Sequence, residues 1–530
     1  MPAHANGSAA PSTPGKVLRV EVSAAPGHAD PIGESLRRDA LAAGVRLDSA
    51  RATHVYLIQP APGAPIGPDA LASLSARLLA DPVTERSRVG AAPADAGVQI
   101  VEVHPLPGVM DPVAQSVQAA IGELLNLPEP PQVSTGWRYD LVGPGLTRDA
   151  AVGLANRLLA NPVIQRVHDR PVQPAEFPAA EAHEGGMGSV PLLGLGDEAL
   201  AKLSRDAHLF LSLEEMKAVQ EHYRSLGRDP REIELETLAQ TWSEHCVHKT
   251  LKSTVRYRGG GAAGSPDPIV WSGRPGHEVL PDGTVVIHNL LKSTVAAATH
   301  RLIKEGVDWT LSVFVDNSGV IAFDEKHAVC VKVETHNHPS AIEPYGGAAT
   351  GVGGCIRDVI ATGLGAVPVA NTDVFCVAPP ATEDVPEGCL PPRRVLTQVV
   401  AGVRDYGNRM GIPTVSGSVW FDARYVGNPL VYCGCVGVMG REHVKGRVER
   451  GDLIVALGGR TGRDGIHGAT FSSAELEHTA TDEFAHAVQI GNAITEKQVL
   501  DAIVRARGAG PGGTPLYHGM TDCGAGGFSS

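Results

Sequence analysis

Positive charge is in short supply. The 530-residue chain carries 45 Lys and Arg against 58 Asp and Glu, a net charge of −13. That balance argues against a general nucleic-acid or anionic-membrane surface, although a small anionic substrate can still be met by locally placed cations. Long apolar runs are also missing: none approaches the roughly 18 residues that span a bilayer. The first sixteen residues, "MPAHANGSAAPSTPGK", contain no apolar core of a signal peptide and are expected to form a disordered tail. The eight cysteines include no CxxC pair. Cys433 and Cys435, two apart in "VYCGCVGVMG", should share one face of a buried strand as free thiols. A reducing, cytoplasmic compartment fits that usage.

What is present reads as globular, at 43% hydrophobic and 19% charged residues. The N-terminal third is an internal repeat. "VEVSAAPGHADPIGESL" starts at Val20 and "VEVHPLPGVMDPVAQSV" at Val101, and the units close in register on "RLLADPV" from Arg77 and "RLLANPV" from Arg157. In each unit an alternating strand leads through Pro-Gly to Asp30-Pro31 or Asp111-Pro112. That pattern predicts a helix with Asp as N-cap and Pro at its first position. Two small α/β units packed as a pseudo-dimer follow, with nothing catalytic in either.

A Gly-rich linker over 181–205 precedes a helical segment over 206–255. "SLEE" at Ser212 fits a capping box. "DPREIELETLAQTWSEHC" predicts a helix starting at Asp229-Pro230, with Leu235, Leu238, Trp242 and His245 on one apolar face. There His245 is either a core histidine or part of a working polar cluster with Ser243, Glu244, Cys246, His248 and Lys249.

Chemistry concentrates in "AVCVKVETHNHPSAIEPYGGAATGVGGCIRD", residues 328–358. Period-two alternation puts Lys332 and Glu334 on the same face of a strand. Together they suit a nucleotide phosphate and a Mg2+ ion, or else form a plain surface ion pair. His336 and His338 lack a partner pair at zinc spacing. Glycines 346, 347, 351, 353 and 354 read as a loop before a helix "CIRDVIATGLGA", whose N-terminus would offer N–H groups to phosphate. Arg357 adds an anion-binding fork and Asp358 a hard oxygen donor. A second Gly-rich run, "GGRTGRDGIHGATFSS", lacks the Gly-Lys-Ser/Thr ending of a phosphate-binding P-loop, and Asp522 precedes a third, "DCGAGGF".

These stretches, with "TWSEHCVHKT", resemble the signatures of the formylglycinamide ribonucleotide amidotransferases (phosphoribosylformylglycinamidine synthases, PurL), and the tandem repeats resemble the small PurS subunit. The resemblance implies an α+β fold. It would comprise PurS-like repeats at 17–98 and 99–180, the linker and helical segments above, a PurM-like N-terminal domain at 256–440, and part of its C-terminal domain at 441–530. Relatives carry two such halves, so this chain is expected to stop inside the first.

The implied activity is that of a ligase of purine biosynthesis. ATP, with Mg2+, activates formylglycinamide ribonucleotide as an iminophosphate, and ammonia from a glutaminase subunit or domain displaces the phosphate. By resemblance His245 is an active-site histidine and His336 the proton acceptor. Thr335, His336, Asn337, His338, Arg357 and Gln489 would contact substrate, Lys332 ATP, and Glu334, Asp358 and Asp522 the metal. His248 stands where small stand-alone relatives carry an ATP-contacting tyrosine. The alternatives are another ATP-using enzyme of the PurM and selenophosphate synthetase superfamily, or a truncated scaffold without activity.

Overall fold

The computed structural model describes residues 16–93, 95–107, 109–161, 164–178, 188–259, 269–459, 468–471, 491–525 and 527. The chain divides into two compact units, 1–183 and 184–530.

The first unit repeats one order of elements. Strand β1 (Leu18–Ala24), helix α1 (Pro31–Ala42), β2 (Ser49–Gln59), α2 (Pro68–Leu74) and β3 (Glu85–Val89) are followed by β4 (Gln99–Pro105), α3 (Pro112–Leu124), β5 (Gln132–Val142), α4 (Arg148–Leu158) and β6 (Gln165–His168). One antiparallel sheet runs β3-β1-β2-β5-β4-β6. Its halves meet where β2 pairs β5, from Ser49 opposite Val142 to Gln59 opposite Gln132.

The repeated aspartates do two jobs each. Asp30 caps α1 at Gly33 N (2.9 Å) and holds Ala52 N (2.7 Å) of β2. Asp111 caps α3 at Ala114 N (2.9 Å) and holds Thr135 N (2.8 Å) of β5. The cap therefore also fixes the helix to the next strand of its own repeat. The core mixes the repeats, with Leu36 and Ala40 of α1 against Leu141, Leu154 and Ala155 of the second repeat. Alternation sends Val101 and Val103 to that core, Val20 and Val22 to a second one with Tyr56, Ile58 and Ile121, and Arg19, Glu21 and Glu102 to the opposite face. There Arg19 bridges Glu21 and Glu102, while Arg138 reaches Glu21 at 3.4 Å.

The second unit begins with α5 (Asp197–Asp206), α6 (Leu213–Leu226), α7 (Glu232–Trp242) and α8 (His248–Lys252). Ser212 and Glu215 form the expected capping box on α6. A small sheet β7-β9-β8 follows, built from β7 (Val255–Tyr257), β8 (His277–Val279) and β9 (Val285–Ile287), then α9 (Ala297–Lys304). The main body is formed by β10 (Thr310–Ser312), β11 (Gly319–Ala322), β12 (His327–Thr335), α10 (Asn337–Ile342), α11 (Pro344–Ile360), β13 (Val367–Val377), α12 (Pro392–Met410), β14 (Thr414–Phe421) and β15 (Leu430–Gly440). Helices α13 (Gly468–Phe471) and α14 (Ala493–Ala506) come last. The sheet order is β10-β11-β12-β15-β13-β14. Its one parallel pair, β13 with β14, is joined through α12.

Helices α11 and α12 cover one face of this sheet over a core that includes Cys330, Val352, Ile356, Val399, Tyr406, Cys433 and Cys435. On the other face Val331 and Val333 of β12 remain 43% exposed. Cys433 and Cys435 are buried free thiols, as their spacing predicts. No described helix is long and apolar enough to cross a membrane.

Three sequence expectations are corrected. The glycines of 346–354 do not form a loop: they lie inside α11, and Arg357 and Asp358 occupy its last turn. Their reason is close approach rather than anion binding. A Cβ on Gly347 would sit 2.5 Å from Ser340 N, and one on Gly351 3.0 Å from His336 Cβ and 3.2 Å from Cys433 Sγ. The N-terminus of α11 is also capped internally, by Glu343 on Gly346 N.

Helix α7 starts at Glu232 rather than at Asp229-Pro230, because Asp229 instead accepts from Leu192 N and Leu193 N at 2.8 and 2.9 Å. His245 also lies beyond α7, which ends at a half-exposed Trp242. Most of the Gly-rich run 458–473, and Gln489, lie outside the described residues.

Candidate active site

Strand β12 delivers two charges to the α11 side. Lys332 Nζ is 3.0 Å from Asp358 Oδ2 and 3.8 Å from Glu334 Oε1. Glu334 Oε2 lies within ordinary contact of Gly354 on α11. Burial, and the Asp522 charge after it, push the Asp358 carboxyl up to about 7, while Lys332 pulls the other way. Next to Asp358, Arg357 Nε donates to Asp522 Oδ2 at 3.0 Å. Asp522 is thus held in place, its side chain 10% exposed. Among the described residues it is the guanidinium's one hydrogen-bond partner, which leaves both Nη groups to engage an anion.

His336 follows the end of β12 and precedes α10. Its backbone N–H bonds Val431 O at 2.8 Å, and its Nδ1 lies 2.5 Å from Gly347 O. A carbonyl can only accept, so Nδ1 carries the proton and Nε2 of the neutral ring keeps its lone pair. Burial lowers the ring to about 4, against the Gly347 bond and the Glu334 charge. The result is a fixed tautomer whose Nε2 carries the lone pair. Asn337 is partly committed to the fold, since its Oδ1 accepts from Val431 N at 2.9 Å. His338 Nδ1 stands 3.5 Å from Asn428 Nδ2, and Thr335 is exposed at the strand end.

His245 reaches the same cluster from the helical segment. Burial lowers its pKa, Glu334 raises it, and His248 and Lys332 lower it, so these side chains lie within its field. The chain turns sharply here: Cys246 and Val247 both take left-handed φ, at 54° and 59°. For a β-branched valine this is strained backbone, of the kind that gathers at working sites. Glu244 holds the turn by accepting from Thr250 N at 3.1 Å, and Lys249 is anchored to Glu215 at 2.5 Å.

The structure thus gathers His245, Lys332, Glu334, His336, Arg357, Asp358 and Asp522. The donor set suits Mg2+, being three hard carboxylates in a site crowded with negative charge. Among the described residues, however, no three His, Cys, Asp or Glu side chains converge closely enough to hold an ion. Asp358 and Asp522 are engaged by Lys332 and Arg357 instead.

Sequence reasoning missed Tyr406 and Glu496. The Tyr406 phenol, on the buried face of α12, donates to Glu496 Oε2 on the first turn of α14. Burial pushes Glu496 up to about 7. The available signal was a polar-tipped aromatic on the apolar stripe Val395, Val399, Val403, Tyr406, Met410.

Comparison with known proteins finds related domains in the second unit. Residues 315–439 match the N-terminal domain of AIR synthase related proteins and 449–530 their C-terminal domain. Residues 200–249 match the formylglycinamide ribonucleotide amidotransferase linker domain. The second unit is thus similar to AIR synthase related domains preceded by an amidotransferase linker domain. The phosphoribosylformylglycinamidine synthase subunit PurL of Thermoplasma acidophilum is 40% identical over 337 residues, covering 63% of this chain and 37% of the relative. That of Methanopyrus kandleri is 38% identical over 306 residues, covering 57% and 34%. The chain is similar to these PurL subunits and spans little more than a third of their length.

Among solved structures, Thermotoga maritima PurL complexed with FGAR shares 32% identity, covering 56% of this chain and 37% of that one at a TM-score of 0.37. The same protein complexed with ATP shares 29%, covering 60% and 38%, also at 0.37.

Proposed function

We propose that this chain carries a nucleotide and substrate site of a synthetase that converts formylglycinamide ribonucleotide into formylglycinamidine ribonucleotide. The observation that supports it best is His336, held as the Nδ1–H tautomer with the charges of Glu334 and Arg357 acting on its ring. ATP phosphorylates the amide oxygen of the substrate, and ammonia adds to the resulting iminophosphate and expels phosphate. His336 Nε2 takes the proton that ammonia sheds as its C–N bond forms. Arg357, with Thr335, Asn337 and His338, orients the substrate through its anionic and polar groups, and Gln489 joins them. Lys332 neutralises phosphate charge on ATP, His248 lies toward the nucleotide, and His245 works from the strained turn. Glu334, Asp358 and Asp522 are the residues that would hold Mg2+ once the Lys332 and Arg357 pairs give way, and the ion would add to the neutralisation of phosphate charge. Ammonia comes from glutamine on a glutaminase partner.

The test is ADP formation with ATP and Mg2+. The reading requires dependence on both formylglycinamide ribonucleotide and ammonia, and formation of the amidine. ADP release that ignores formylglycinamide ribonucleotide overturns it.

A further inference from the structure

Helix α12 and the edge strand β14 enclose a groove of about 600 Å³, in the size range of small-molecule sites. Its walls are apolar and open: Val400 of α12 is 45% exposed, and Val415 and Val419 of β14 are 67% and 43% exposed. The ladder beside it is irregular. Asn371 of β13 faces Thr414 and Thr372 faces Ser416, so Val415 is the extra residue of a β-bulge, a feature that bends its strand.

A buried carboxylate belongs to this apolar space. Asp373 of β13 lines the groove yet is 4% exposed. Its Oδ2 accepts from Thr414 Oγ1 at 2.9 Å. Its Oδ1, with only the weak thiol donor of Cys433 close by, has no hydrogen-bond partner among the described residues. The other charged residue of the lining, Arg404, is spent on Asp405 at 2.7 Å. Asn371, two residues before Asp373 on the same face of β13, is 1% exposed, and neither polar atom of its amide has a partner among the described residues. Burial raises the Asp373 carboxyl, and a buried acceptor left unmade is costly, so a donor that reaches Oδ1 is favoured twice over. The groove is separate from the proposed catalytic cluster. Asp373, Cys433 and Glu334 are cross-strand neighbours in one row, which puts Asp373 two strands, roughly 10 Å, from Glu334.

We propose that this groove binds a small apolar molecule with an ammonium head, the head meeting Asp373 and the body lying between Val400, Val415 and Val419. Charge decides the class. An anionic head would be repelled by the carboxylate, and a neutral alcohol would bring one hydrogen bond without the charge that offsets a buried carboxylate. The site stands independently of the roles proposed for His336 and Arg357.

Fluorine NMR titrations of the full chain test this with two probes of one body, para-fluorobenzylamine, protonated at neutral pH, and para-fluorobenzyl alcohol. The amine should bind saturably and about tenfold more tightly than the alcohol. Asp373→Asn keeps an acceptor for Thr414 and should reduce the amine to the affinity of the alcohol. Val400→Trp, at an exposed wall position, should fill the groove and weaken both probes about tenfold, which ties the binding to this groove rather than to the acidic catalytic cluster. No saturable binding of the amine by a folded wild type overturns the proposal. So do equal affinities for the two probes, and amine binding unchanged in either folded variant. Should Asp373→Asn fail to fold by circular dichroism, the pair of probes and Val400→Trp still decide.

Discussion

Lys332 and Asp358 meet at 3.0 Å, joining the end of β12 to the last turn of α11, and Glu334 stands 3.8 Å from the same ammonium. One cation thus serves two carboxylates in a partly buried site. Glu334 contributes little to the fold, because its pairing with Lys332 is the longer one and its side chain is 35% exposed. Glu334→Gln should therefore shift the melting temperature by no more than a few degrees. Titrations of nucleotide at varied Mg2+ should show the variant needing about tenfold more metal or worse. Unchanged metal dependence would reduce Glu334 to a surface charge.

The glycines of α11 make a different prediction from glycines in a phosphate loop. Gly347→Ala would place a methyl group 2.5 Å from Ser340 N, a backbone atom that cannot rotate away. The expected cost is about 1–3 kcal/mol in chemical denaturation, as for other overpacked sites. It should arise with or without nucleotide. A variant of normal stability with lost nucleotide affinity would restore the loop reading.

How much of this was legible depends on the range of the interaction. Asp30-Pro31 and Asp111-Pro112 were readable as helix starts because a cap is made within three residues. Lys332 and Glu334 were placed together because a strand alternates. The glycines misled because glycine has low helix propensity, and the contacts that require it, with Ser340, His336, Cys433 and Tyr406, come from other elements. His245 was put on α7 by periodicity, which could not show that Ser243 ends the helix or that Cys246 and Val247 turn left-handed. Tyr406 and Glu496 are 90 residues apart and carry no local motif.

The buried charges of the first unit should matter more than its exposed ones. Glu102 is fully buried and accepts from Arg19, His104 and Val172 N. Removing its charge leaves Arg19 to share the single carboxylate of Glu21 with Arg138, so Glu102→Gln should cost about 3–5 kcal/mol. Asp169→Asn, which breaks an exposed pair with Arg148, should cost under about 1 kcal/mol. Denaturation of the full chain, followed at Trp137 of this unit, compares them. Equal small losses would contradict the account.

The same unit should weaken in mild acid. Burial holds His54, stacked on Trp137 with ring centroids 4.5 Å apart, down to about 4 from an ordinary 6.5. Between those values the unfolded chain binds the proton and the folded one does not, so stability falls as pH drops from about 6.5 to 4. The full effect is at most about 3 kcal/mol. His54→Gln should flatten that part of the pH–stability curve. A wild-type curve with no slope between pH 6.5 and 4.5 would refute the burial of this ring.

The central claim is that the cluster around His336 and Arg357 receives formylglycinamide ribonucleotide. Calorimetric titration of that compound into the wild type and into Arg357→Ala tests it most directly. The account predicts saturable one-to-one binding to the wild type, weakened about a hundredfold or more in the variant as a charged anchor is lost, with the variant still folded by circular dichroism. Equal binding by the two proteins, or none by a folded wild type, would contradict it.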